Sequence, residues 1–141
     1  MARHQDATPV YRSQTIATPI ARPVREVYDF LAEPANFPKW AAVVGPSFTQ
    51  IGRNDWVGEM AVGERVVRFS ERNRYGILDH ALFKQGEEPI VTPMRVSANG
   101  EGCLLTYTFY QRPGMSEEQF GSTIEWITTD FLALKTLLEV G

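Results

Sequence analysis

Residues 115–140, MSEEQFGSTIEWITTDFLALKTLLEV, decide how this chain folds. Ser116 and Gln119 make a capping box, in which the Ser116 hydroxyl accepts from the Gln119 N–H while the Gln119 side chain reaches back. Met115 and Phe120 stand where a hydrophobic staple belongs. Beyond the cap, Phe120, Ile124, Ile127, Phe131, Leu134 and Leu138 recur every three or four residues, which puts them on one helical face. Such a helix, roughly 36 Å long at ~1.5 Å per residue, needs an apolar support of similar length. Residues 102–111 provide one, since about ten extended residues at ~3.4 Å each reach nearly as far. The spacing therefore predicts a long helix lying along a long, curved sheet.

Upstream, residues 43–111 are short β-branched and aromatic runs separated by turn residues, the pattern of an antiparallel meander. Strands are expected near 47–51, 56–61, 64–72, 76–83, 92–98 and 102–111. Asn99-Gly100 reads as a type I′ turn, because both residues tolerate the positive φ it requires. Residues 14–20 (QTIATPI) make a further strand, placed at an edge because Pro19 cannot donate to a ladder. Pro23 opens a short amphipathic helix carrying Val24, Val27, Tyr28 and Leu31. Pro34 and Pro38 confine residues 35–40 to one or two more turns. The expected class is α+β: about seven strands, in the order strand, two short helices, six strands, long helix, with the curved antiparallel sheet wrapped around the C-terminal helix. Residues 1–13 read as a loose arm and residues 14–141 as a single domain.

The 141 residues carry 14 Lys plus Arg against 17 Asp plus Glu, a net charge of -3. Phosphate binding needs clustered positive charge, so no nucleic-acid partner is expected. No apolar run reaches the roughly 20 residues of a membrane span, and the start lacks the apolar segment of a signal peptide. The expectation is a cytoplasmic protein without integral membrane association, monomeric or weakly homodimeric. Cys103, alone, makes neither an internal disulfide nor a metal cage. His4 and His80 lack companions at metal-ligand spacing. Gly52, Gly58 and Gly63 form no phosphate loop, and no serine sits in a GxSxG elbow. Neither a metal nor another cofactor is expected.

Four phrases sharpen the element order: TPIARPVREVYDFLAEPANFPKW (18–40), GILDHALF (76–83), PMRVSANGEG (93–102) and RPGMSEEQF (112–120). With that order they make residues 14–140 resemble the START-like superfamily called SRPBCC, often described as polyketide cyclase-dehydratase or lipid-transport proteins. The resemblance implies the helix-grip fold, with a cavity between sheet and C-terminal helix that accepts an apolar or aromatic small molecule. It does not choose a function, because this superfold hosts carriers, cyclases, hydroxylase subunits and chaperone activators alike.

Strand alternation supplies a lining. With Asn99-Gly100 as the turn, Ala98 opposes Glu101, Val96 opposes Cys103 and Met94 opposes Leu105. Met94, Val96, Ala98, Cys103, Leu105, Tyr107 and Phe109 then share the inner face, with Arg95, Ser97, Thr106, Thr108 and Tyr110 outside. On the other strands Val67 and Phe69 point inward, and Trp56 with Met60 is the bulkier face. Trp40, His80 and the helix residues Ile124, Ile127 and Phe131 complete the expected ligand pocket. The same side chains suit an ordinary core. Tyr107 is distinctive because a buried hydroxyl needs a partner, and a ligand or water can be one.

Asp79-His80 is the place for acid–base chemistry. Adjacent strand residues face opposite ways, so if Asp79 pairs outside with Arg95, then Leu78, His80 and Leu82 turn inward. His80 then orients a ligand or moves a proton near neutral pH, or is a core histidine satisfied by backbone or by Tyr107. His80 and Tyr107 are thus the candidate catalytic residues. Three functions follow: a binder of a hydrophobic or aromatic small molecule; a cyclase- or dehydratase-type enzyme in which His80 is acid or base and Tyr107 steadies an enolate-like oxygen; and an interaction domain resembling chaperone activators. The last would use Trp126, which lies off the main stripe and otherwise widens the buried face.

Overall fold

The capping box closes: Gln119 N donates to Ser116 Oγ at 3.0 Å, and Ser116 N donates to Gln119 Oε1 at 2.9 Å. In the computed structural model, which describes residues 10–140, it opens helix α2, Glu117–Val140. Phe120, Ile124, Phe131 and Leu134 are buried along this helix, while Ile127 and Leu138 are half-buried. Both ends are tethered to the sheet's edge. Glu117 pairs with Arg12 and accepts from the Gln111 amide at 3.0 Å. Lys135 Nζ donates to the Pro19 carbonyl, and Ala21 N donates to the Glu139 carboxylate, each at 2.7 Å.

Among the described residues seven antiparallel strands support the helix: β1 (Ser13–Ile20), β2 (Thr49–Gln50), β3 (Asp55–Met60), β4 (Gly63–Phe69), β5 (His80–Phe83), β6 (Met94–Asn99) and β7 (Gly102–Tyr110). Between β1 and β2 come helix α1, Val24–Ala32, and a 3₁₀ segment, Pro34–Lys39. The result is the helix-grip fold expected from the element order, with Pro19 on the edge strand β1. The core gathers Ile20, Val27, Leu31, Met94, Val96, Leu105, Phe131 and Leu134, so α1, α2 and the concave face of the sheet share one apolar interior.

The sheet departs from the expected meander in three places. Its ladder is divided into β1-β7-β6 and β2-β3-β4-β5, joined by isolated bridges at Ile77↔Arg95 and His80↔Thr92. The expected strand 76–83 is regular only at His80–Phe83. Pro93 offers no N–H, and the Asp79 carboxylate takes the Met94 N–H at 2.8 Å, removing a donor from the ladder. Around 47–51, Pro46 starts a 3₁₀ turn, Gly45–Ser47, and leaves only Thr49–Gln50 extended. The β6–β7 turn is centred on Gly100-Glu101, so Asn99 faces Gly102, Ala98 faces Cys103, Val96 faces Leu105 and Met94 faces Tyr107. Gly100 has φ +60°, and among the described residues no type other than glycine has positive φ. That favours the turn with glycine at its first central position over the type I′ form, which needs positive φ twice. The register is displaced by two residues, so inside and outside are unchanged. Ala98, at the end of its strand, is exposed. The expected loose arm falls largely outside the described residues, and β1 already begins at Ser13.

Candidate functional site

Asp79 faces outward. Its carboxylate receives Arg95 Nε and Nη2 at 3.0 Å each. Burial opposes ionisation, but Arg95 and the Met94 N–H hold the carboxyl below its ordinary range. His80 consequently points inward and is buried. Its Nδ1 lies 3.1 Å from the Leu78 carbonyl, and a carbonyl only accepts, so Nδ1 carries the proton and Nε2 keeps its lone pair. Burial pulls the imidazole below its ordinary value, against the Leu78 carbonyl and Asp79. Burial likewise raises the Tyr107 hydroxyl, with Thr92 and Arg112 opposing.

The sequence-derived lining residues separate into two groups. The first makes a circuit of rings. Trp56 stacks on Phe48 at 5.0 Å, Phe48 on Phe37 at 5.6 Å, and Phe37 meets Trp40 at 5.3 Å. Trp40 then meets Phe131 at 5.8 Å, Phe131 meets Tyr107 at 5.6 Å, and Tyr107 stacks on His80 at 5.5 Å. Phe69 closes the circuit, 6.4 Å from His80 and 5.6 Å from Phe37. The void bordered by Phe37, Trp40, Phe69, His80 and Met94 is about 20 Å³, room for about one water. Val67 and Leu105 are fully packed core residues rather than walls of an open space, and Val96, also buried, borders a separate hollow of about 340 Å³ beside Val24, Tyr28 and Ser97. Ile124 packs on Phe109 and Phe120.

The second group lines an open cleft of about 250 Å³ between α2 and the sheet. Of the expected residues, Met60, Tyr107, Phe109 and Ile127 border it; Phe37, Val43, Leu82, Arg112, Met115, Trp126 and Asp130 join them. Trp126 thus widens the inward face of α2 while remaining 37% exposed. Phe37 escaped the sequence reading because a 3₁₀ segment has no periodicity to reveal its facing. Asp130 was visible in principle: with Thr123, Trp126 and Ile127 it follows a helical face adjoining the main stripe. Nothing in strand alternation marks Arg112, one residue past the strand-like run 102–111.

Asp130 is the cleft's acid. Burial pushes its carboxyl from 3.8 up to about 6, opposed by a hydrogen bond from the Ala42 N–H. The folded chain therefore holds this proton more tightly than the unfolded one, so stability falls as pH rises from about 4 through about 6. Asp130→Asn keeps an acceptor for Ala42 N and removes the charge. Discounted for partial exposure, it is expected to stabilise the protein by about 1–2 kcal/mol near pH 8 and by almost nothing near pH 4. Urea titrations across that range check this; a gain independent of pH contradicts it. His80 works oppositely: its contribution is present above 6.5 and lost as pH falls below that value.

Among the described residues no cluster of three His, Cys, Asp or Glu side chains can hold a metal ion, and no helix is long and apolar enough to cross a membrane. No family model matches the chain, and no curated protein matches it in sequence. Solved structures do. XoxI from Bacillus cereus superposes with a TM-score of 0.70 at 14% identity, over 89% of this chain and 94% of that one. The protein in the Aha1 dimer from Colwellia psychrerythraea gives 0.70 at 12% identity, over 92% and 98%. CalU16 from Micromonospora echinospora gives 0.63 at 17% identity, over 91% and 74%. At these identities the likeness concerns the fold alone.

Proposed function

We propose that this domain is a START-like binder of a small hydrophobic or aromatic molecule, and that the occupant sits in the cleft between α2 and the sheet. The observation that carries the reading is the cleft: about 250 Å³, walled by Phe109, Met115, Trp126, Ile127 and Met60, with few polar groups converging on it. The ring circuit supports the binding role by providing an aromatic floor, which meets the cleft at Phe37 and Tyr107. The buried, unpaired Cys103 suits the reducing, cytoplasmic setting proposed for it. Catalysis by His80 is the weaker reading, because the imidazole borders the 20 Å³ void and not the cleft. A panel of apolar and aromatic metabolites, neutral and anionic, tests the proposal by thermal shift and Trp126 fluorescence. At least one member is expected to raise the melting temperature in proportion to its occupancy. Absence of any shift across the panel, with no co-purifying small molecule by mass spectrometry, ends it.

A further inference from the structure

Resting on that binding reading, we infer that the cleft selects small carboxylates with a flat apolar body, and that Arg112 engages their anionic head. Among the described residues, Arg12, Arg22, Arg53, Arg68, Arg72 and Arg95 each pair with a carboxylate; Arg25, Arg65, Arg74 and Arg112 do not, and of these four only Arg112 borders the cleft. Its hydrogen bonding is also incomplete. Nη1 makes one 3.3 Å bond to the Leu82 carbonyl, and Nε is buried with no acceptor. The guanidinium carbon lies over the Phe109 ring, 5.8 Å from its centre, a cation–π contact near the outer limit of its range that supplies no hydrogen-bond acceptor.

A guanidinium held against apolar surface without a counter-ion is poorly compensated for the water it has lost. A carboxylate entering the cleft supplies the missing partner, and its two oxygens match the planar fork of Arg112. The cleft's own acid does not do so: Asp130 accepts from Ala42 N and forms no ion pair with Arg112. Tyr107, which also borders the cleft, lies near enough to feel the Arg112 charge. Phe109, Trp126 and Ile127 offer flat and aliphatic surfaces for the body. A volume of about 250 Å³ exceeds the ~150 Å³ of an apolar cavity that takes one benzene, which suits a fused bicyclic arene bearing one carboxylate.

The test is a matched pair, naphthoate and naphthamide, titrated calorimetrically into the full chain near neutral pH. Naphthoate is expected to bind at least about tenfold tighter, the usual margin for a charge-assisted contact. Arg112→Met is expected to erase that preference while leaving naphthamide affinity within about twofold, and Arg112→Lys to retain part of it. Equal affinities in the wild type, or a preference that persists in Arg112→Met, overturn the inference and leave the binding reading standing. If Arg112→Met does not fold, Arg112→Lys decides: a weakened preference supports the role and an unchanged one refutes it. If neither compound binds and the wider panel is also silent, the binding reading itself has failed and this inference falls with it.

Discussion

Gly76→Ala is expected to destabilise the protein by about 3–5 kcal/mol, a large share of the ~5–15 kcal/mol that holds a domain of this size folded. Gly76 has φ +75°, and a Cβ built there falls inside contact distance of the Val96 carbonyl oxygen. A left-handed conformation costs an L residue about 1–2 kcal/mol by itself. The clash adds to this, because the obstructing atom is backbone and cannot rotate away. Relief by movement would stretch the 3.0 Å bond from Val96 N to the Gly76 carbonyl, worth about 1 kcal/mol. That bond and the neighbouring bridges join the two halves of the sheet. Gly86→Ala is the control: its φ is +91°, but nothing lies within 4 Å of its added Cβ. It is expected to cost only the backbone strain, about 1–2 kcal/mol. Equal losses in the two variants, measured by urea unfolding, would show that crowding at Val96 is not the cause.

The contrast between those glycines marks where sequence reading reaches its limit. Helix α2 was legible because its apolar period and capping box are local properties of consecutive residues. The inward facing of Met94, Val96, Leu105, Tyr107 and Phe109 was legible too, since period-two alternation survives a register displaced by two. The register itself was not: Asn99-Gly100 and Gly100-Glu101 both offer a glycine, and the choice depends on which backbone conformation the closed hairpin adopts. The gap between the half-sheets was hidden because it involves a side chain, Asp79, capturing a backbone donor on another strand. The site divides in the same way. Alternation shows which rings point inward, but whether they close into a circuit or leave a hollow depends on summed volumes, including Phe37 and Phe48 from segments without periodicity. Arg112 stands out only once its missing partners can be counted in three dimensions.

Phe131→Ala is expected to cost about 3–5 kcal/mol, the range for deleting a buried aromatic ring. Phe131 is 2% exposed and stands between Trp40 and Tyr107, at 5.8 and 5.6 Å. Those neighbours are held by the 3₁₀ segment and by β7, so they have little freedom to fill the space. The variant should therefore keep a dry, benzene-sized void, and an apolar void of that kind takes up benzene or indole. Saturating benzene is then expected to restore part of the lost stability through binding to the folded state alone. Leu132→Ala on the outer side of the same helix, where the residue is 57% exposed, should change stability by no more than about 0.5 kcal/mol and show no benzene response. The ring circuit is rigid if both expectations hold. If Phe131→Ala loses less than about 1.5 kcal/mol and ignores benzene, the rings repack on demand. The floor of the cleft would then conform to each occupant, and the preference for flat carboxylates would rest on Arg112 without help from shape.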